Sequence, residues 1–294
     1  MRRSAPLAVF TSLASATPYH RSNNYHQATN SCAIIFDGRV PSTASLTDFD
    51  TASGGGWNPF NPEYVKGNGL AWSDILLLPT PASPSRFDAA AGSVPVEVTI
   101  SDASIFQKQN GFRRAGLQFN KDNNEDSPGS EGVVTLHFSV LQDKSRPLNL
   151  THEYLNVWHE AADYSANQFN FEAGTLIGSE NLPRDTYKLL DRNNKLIWST
   201  PILADSWQNF AITLDFDKNT IQAWYSHGNT ALRPVTRPVS NDNSGRGQYQ
   251  IGILKKPTGT DDVVNSGYQE NGLDEGLIYS GIFIENSSNQ CISK

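Results

Sequence analysis

From Val94 onward the chain carries short runs in which apolar and polar residues alternate, separated by stretches rich in Gly, Pro, Asn and Asp. The runs are VPVEVTISD (94–102), RRAGLQFN (113–120), VVTLHFSVLQD (133–143), HEYLNVWHE (152–160), NQFNFEAG (167–174) and YKLLD (187–191). They continue with KLIWST (195–200), WQNFAITLDFD (207–217), TIQAWYSHG (220–228), YQIGILKK (249–256) and GLIYSGIFIEN (276–286). A period of two with many Val, Ile, Thr and aromatic residues predicts half-buried antiparallel strands. TASGGGWNPFNPEY, NKDNNEDSPGSEG, PVSNDNSGRG and KKPTGTDDVVNSGYQENG read as loops, and the turns at 192–194 and 217–220 read as hairpins. No amphipathic helix of four turns is present. The expected fold is all-β, a jelly-roll sandwich of two stacked antiparallel sheets with one concave polar face.

Because successive side chains point to opposite faces of a strand, each run divides into a core set and an outer set. Val96, Val98 and Ile100 go inward and leave Glu97 outside. Ala115, Leu117 and Phe119 leave Arg114, Gly116 and Gln118, and Leu136, Phe138 and Val140 leave His137. In THEYLNVWHE, Leu155 and Val157 go inward, leaving His152, Tyr154, Asn156, Trp158 and Glu160. If these strands are neighbours, their shared outer face suits a glycan cleft: aromatic rings stack on sugars, while Arg and amides bond hydroxyls.

Composition narrows the partners. With 294 residues and a net charge of -7, the chain is a poor match for nucleic acid or an anionic membrane; a neutral or cationic ligand stays open, and a monomer is expected. Residues 1–16 read as an export signal, with Arg2 and Arg3, the apolar APLAVFTSL, and small residues before Thr17. Residues 17–31 read as a polar leader and 32–294 as a single secreted, extracellular domain. Cys32 and Cys291 are the only cysteines, and in an oxidising compartment they predict one disulfide joining the ends. Sequons at Asn149 and Asn286 fit the same route.

His152-Glu153 invites comparison with the helical zinc-protease pattern H-E-x-x-H, but the next histidine is His159, and strand parity puts the two on opposite faces. No metal and no cofactor are expected; calcium in the Asn/Asp-rich NKDNNEDSPGSE loop stays open, although that loop lacks EF-hand glycine placement.

The stretches AIIFDGRVP, NPEYVKGNGLAWSDILLLP, SRFDA, NGFRRAGLQ, RPLNLTHEY and NQFNF resemble glycoside hydrolase family 131 over essentially the whole of the chain from Cys32. The resemblance implies a β-jelly-roll catalytic domain that cleaves β-1,3, β-1,6 and β-1,4 glucans with inversion. It also implies one glutamate in the strand the family writes FRRAE and another in the HEY strand. The second matches Glu153 or Glu160, and parity favours Glu160. The first falls on Gly116, so the pair is either incomplete or completed by Glu97. Arg114, Gln118, His137, His152, Tyr154, Asn156 and Trp158 are the expected sugar contacts. Two other classes compete. A glucan-binding protein with little or no turnover is favoured by Gly116; a polysaccharide lyase could use Arg114 with His137 or His152, but the acidic balance of the chain speaks against it.

Overall fold

All eleven alternating runs form strands in the computed structural model, which describes residues 32–52, 56–81, 83–120 and 129–294. The export signal, the leader and most of the Asn/Asp-rich loop after Asn120 lie outside the described residues. In chain order the strands are β1 (Ile34–Asp37), β2 (Val40–Pro41), β3 (Leu76–Leu77), β4 (Ser93–Val94), β5 (Val96–Ser101), β6 (Arg113–Gln118), β7 (Val133–Gln142), β8 (Glu153–Glu160) and β9 (Asn167–Gly174). They continue as β10 (Thr186–Asp191), β11 (Leu196–Pro201), β12 (Gln208–Asp215), β13 (Thr220–His227), β14 (Arg233–Pro234), β15 (Val239–Ser240), β16 (Gln248–Lys255) and β17 (Asp274–Asn286). Two short helices, α1 (Trp72–Ile75) and α2 (Arg86–Ala91), were not foreseen; the second starts on the Ser85 cap and ends at left-handed Gly92.

The strands build two antiparallel sheets. One runs β14-β13-β12-β7-β17-β5-β3, with β1 on β17 and β15 on β13; the other runs β11-β10-β9-β8-β16-β6. Asn194 and Asn219 adopt positive φ in the hairpins foreseen between β10 and β11 and between β12 and β13. The inner faces form one core. Phe138 and Phe210 are paired across β7 and β12, and Phe171 of the opposite sheet meets their rings at 5.1 and 4.6 Å. The expected inward sets of β5, β6 and β7 all lie in this core.

Three features position the site. First, the outer edge of β6 is closed by the loop before α1: Gly116 exchanges backbone hydrogen bonds with Val65, Asn61 N donates to Gln118 O, and Asn120 N donates to Pro59 O. That pairing covers an otherwise open sheet edge. Second, Cys32 and Cys291 form the expected disulfide, with Cα atoms 5.6 Å apart, beside the pairing of β1 with β17.

Third, β8 carries a bulge. Leu155 pairs with Glu172 and Val157 with Phe171, leaving Asn156 as an extra residue. This breaks the expected parity. Tyr154 and Val157 belong to the core, whereas Leu155 and Trp158 pack together on the outer face with Phe112 and Leu254. The two histidines are not separated by strand face either. His159 stacks on core residue Tyr249 at 4.1 Å, and His152 lies seven residues away at the other end of the strand, against Glu270.

Candidate functional site

The four strands whose outer faces were expected to form one cleft divide between the sheets: β6 and β8 flank β16 in the six-stranded sheet, while β5 and β7 belong to the other. The candidate site is therefore the outer face of the six-stranded sheet.

At its β6 end this face carries a connected polar row. Glu160 Oε2 accepts from Gln248 Nε2 at 3.1 Å and Gln250 Nε2 at 3.0 Å. Gln250 Oε1 accepts from Arg114 Nη2 at 3.3 Å, and Gln109 Oε1 takes Arg114 Nη1 at 3.0 Å. Gln118 donates to Gln248 Oε1 and accepts from Asn61 Nδ2. Burial lowers the Arg114 guanidinium to about 10 against the pull of Glu160, so it stays charged at neutral pH. The guanidinium lies 5.7 Å from the Trp158 ring and 5.8 Å from the Phe106 ring. Sequence reading missed four parts of this row: Gln248, Gln250, Asn61 and Gln109. Gln248 and Gln250 sit on the outer parity of β16, a signal that was available, whereas Asn61 and Gln109 reach the site from loops.

Trp158 is an anchor rather than an open platform, only 2% exposed. An exposed aromatic ring at this end is Tyr64, which meets Phe106 edge-on at 6.2 Å. Gly116 pairs with Gly252 of β16. A Cβ placed on Gly116 would stand 3.1 Å from Gln250 Oε1 and 3.3 Å from the Trp158 ring, so these two side chains crowd the place expected to hold a carboxylate.

The same face holds a second charged group around Glu153. Its carboxylate accepts from Lys256 Nζ and from the Ile177 amide. Glu172 faces outward on β9, one strand away and two residues offset from Glu153. Burial first, then the negative charge of Glu153, push the Glu172 carboxyl up to about 8 despite Lys256 and Lys188. Burial also lowers Lys188 to about 8, with its Nζ donating to the carbonyls of Gly174 and Thr186. Asn156 is buried in the bulge, and neither atom of its amide has a hydrogen-bond partner among the described residues.

The remaining expected site residues lie elsewhere. His152 and Tyr154 belong to a buried network at one end of the sandwich. His152 Nδ1 bonds Lys256 O at 2.7 Å, and the Tyr154 hydroxyl donates to Glu275 at 2.8 Å. His137 is on the outer face of the nine-stranded sheet, stacked on Phe283 at 4.3 Å and bonded to Glu285 at 2.8 Å. That carboxylate also accepts from Ser293 N and Oγ, which ties down the C-terminal segment.

Glu97 lies on that other sheet too, so it cannot complete a pair with Glu160. It is 2% exposed beside Asp143 and Arg146. Burial and then the Asp143 carboxylate raise it from 4.5 to about 7. Because the folded state binds this proton more tightly than the unfolded chain, the stability it contributes is present below pH 4.5 and lost as pH rises to 7. We expect urea unfolding to show a fall of about 2 kcal/mol across that window. Glu97→Gln should flatten it, and an unchanged slope in the variant would contradict the assignment.

A two-sheet sandwich with one sheet face lined by amides, arginine and carboxylates fits a carbohydrate-active domain. The chain belongs to glycoside hydrolase family 131: the model for the glycoside hydrolase 131 catalytic N-terminal domain matches residues 34–290. The solved β-glucanase catalytic domain of this family from Podospora anserina is 22% identical, with a TM-score of 0.70 over 89% of this chain and 98% of that one. The family's catalytic domain from Coprinopsis cinerea is 23% identical, with a TM-score of 0.64 over 86% of this chain and 94% of that one. A search of curated proteins found no match.

Proposed function

We propose that this chain is a secreted hydrolase of β-glucans that binds its substrate across the outer face of the six-stranded sheet and cleaves it with inversion. β-1,3, β-1,6 and β-1,4 linkages are the candidate substrates, and a single chain suffices. The observation that carries the reading is the row Glu160–Gln248/Gln250–Arg114–Gln118–Asn61. Planar amides and a guanidinium in one hydrogen-bonded row offer donors and acceptors to sugar hydroxyls, and the one carboxylate and one guanidinium leave no net charge to select an ionic polymer. The same export route would bring N-glycosylation to exposed Asn286; at Asn149 the amide nitrogen already donates to Glu270.

The test is release of reducing ends from laminarin, mixed-linkage glucan and cellulose, with product anomers followed by NMR. Initial α-anomers support inversion, and unsaturated products would point to a lyase instead. Tyr64→Ala should weaken glucan affinity about tenfold with an unchanged melting curve, as measured by affinity electrophoresis. An unaltered affinity would remove Tyr64 from the binding face.

A second reading, glucan binding with slow turnover, is favoured by one observation. Glu160, the partly exposed carboxylate of the polar row, has Gly116 and Gln250 where an inverting partner would be needed. Glu172 is five residues along from Asn167, the partner of Glu160, or roughly 16 Å away. Inversion requires carboxyls about 6.5–9.5 Å apart.

A further inference from the structure

We infer that Glu172 is the proton donor of this site, acting with Glu153 as its base, in place of a carboxylate on β6. The inference rests on the hydrolase reading and names the residues that would perform it.

Three observations converge on Glu172. The register sets Glu153 opposite Gly174 and Leu155 opposite Glu172, so the two glutamates are diagonal neighbours on one sheet face. The backbones of diagonal positions lie about 7–8 Å apart, close enough for two glutamate side chains to set their carboxyls at the separation that inversion needs. Next, the Glu172 side chain is 2% exposed yet makes no hydrogen bond among the described residues. A buried carboxyl without a protein partner bears a desolvation cost that a bound hydroxyl or glycosidic oxygen would offset. Finally, the register sets Glu172 level with Leu155, Leu254 and Arg114, next to the bulge at Asn156, whose amide also has no hydrogen-bond partner among the described residues.

The environments of the two glutamates differ in the direction their roles require. Glu153 accepts hydrogen bonds from Lys256 Nζ and the Ile177 N–H, whereas Glu172 has no such donors among the described residues. Glu172 is pushed up to about 8 by burial and by Glu153, with Lys256 and Lys188 opposing, so it carries its proton at neutral pH. In the reaction the Glu172 O–H proton passes to the glycosidic oxygen as the C1–O bond breaks. A water attacks C1 from the opposite face and gives its proton to Glu153. Exchange with solvent then returns both groups to their starting states, and no other reactant is consumed.

The test compares the full chain and Glu172→Gln on laminarin and on an aryl β-glucoside whose dinitrophenolate leaves without protonation. Glu172→Gln should lower kcat on laminarin by about 100-fold or more, with little change in KM, while the activated glucoside loses less than about tenfold. The descending limb of the wild-type pH profile, near pH 8, should vanish in the variant. If melting shows Glu172→Gln to be misfolded, Lys188→Met supplies the second arm. Removing that positive charge raises Glu172 further and should move the descending limb to higher pH. Laminarin turnover within about threefold of wild type, equal losses on both substrates, or a limb unmoved by Lys188→Met would overturn the assignment while leaving the hydrolase reading intact. A wild-type chain that releases no reducing ends from any β-glucan would instead end the hydrolase reading, and this assignment with it.

Discussion

Lys255→Met is expected to destabilise the fold by about 3–5 kcal/mol, measured by urea unfolding at pH 7. Lys255 is fully buried, and its Nζ lies 2.7 Å from both Glu270 Oε2 and Glu275 Oε1, with the Tyr154 ring 5.7 Å away. Methionine keeps most of the volume and removes the charge. Glu275, itself 6% exposed, then retains only the Tyr154 hydroxyl and the Asn149 amide as donors. The cost comes mainly from stranding that anion, since an intact buried pair is close to neutral against an apolar replacement. Lys255→Met combined with Glu275→Gln should therefore recover part of the loss. If the single variant loses less than about 1 kcal/mol, the network is not a stability element.

Removing the Cys32–Cys291 bond, as in Cys291→Ser, should cost on the order of 5 kcal/mol. The bond closes a sequence separation of 259 residues. Constraining so long a loop removes more entropy from the unfolded chain than a short one would, so the contribution belongs near the top of the observed range. Both ends stay attached in its absence: β1 pairs with β17, and Ser293 donates to Glu285. The variant should therefore fold to the same structure, with a lower urea midpoint and a larger m-value, because the unbridged denatured chain is more open. A midpoint equal to wild type would show that these contacts already hold the termini in the denatured ensemble.

The strands were legible in the sequence because half-buried strands must alternate, and every alternating run from Val94 to Asn286 became one. Which strands share a sheet was not legible. β6 pairs with β16, far along the chain, while β5 and β7 both pair with β17 in the opposite layer. Periodicity carries no information about such partners. This is why Glu97 and His137 were grouped with Arg114 although the core separates them. Within the correct sheet, Arg114, Gln118, Trp158 and Glu160 were found by parity alone. Glu172 was equally accessible by that rule, since Phe169, Phe171 and Ala173 fix the inward set of β9. The stronger chemical signal lies in the histidine-flanked strand β8, whose own parity fails at an inserted residue.

That inserted residue divides β8 into two reading frames. On the Glu160 side of Asn156, odd-numbered residues look inward; on the Glu153 side, even-numbered ones do. Both Glu153 and Glu160 therefore reach the outer face although an odd number of positions separates them. A relative lacking the extra residue would show the same letters with one half turned over. Position-by-position transfer of roles along this strand holds only within each half, and a comparison of family members has to be anchored separately on either side of the bulge.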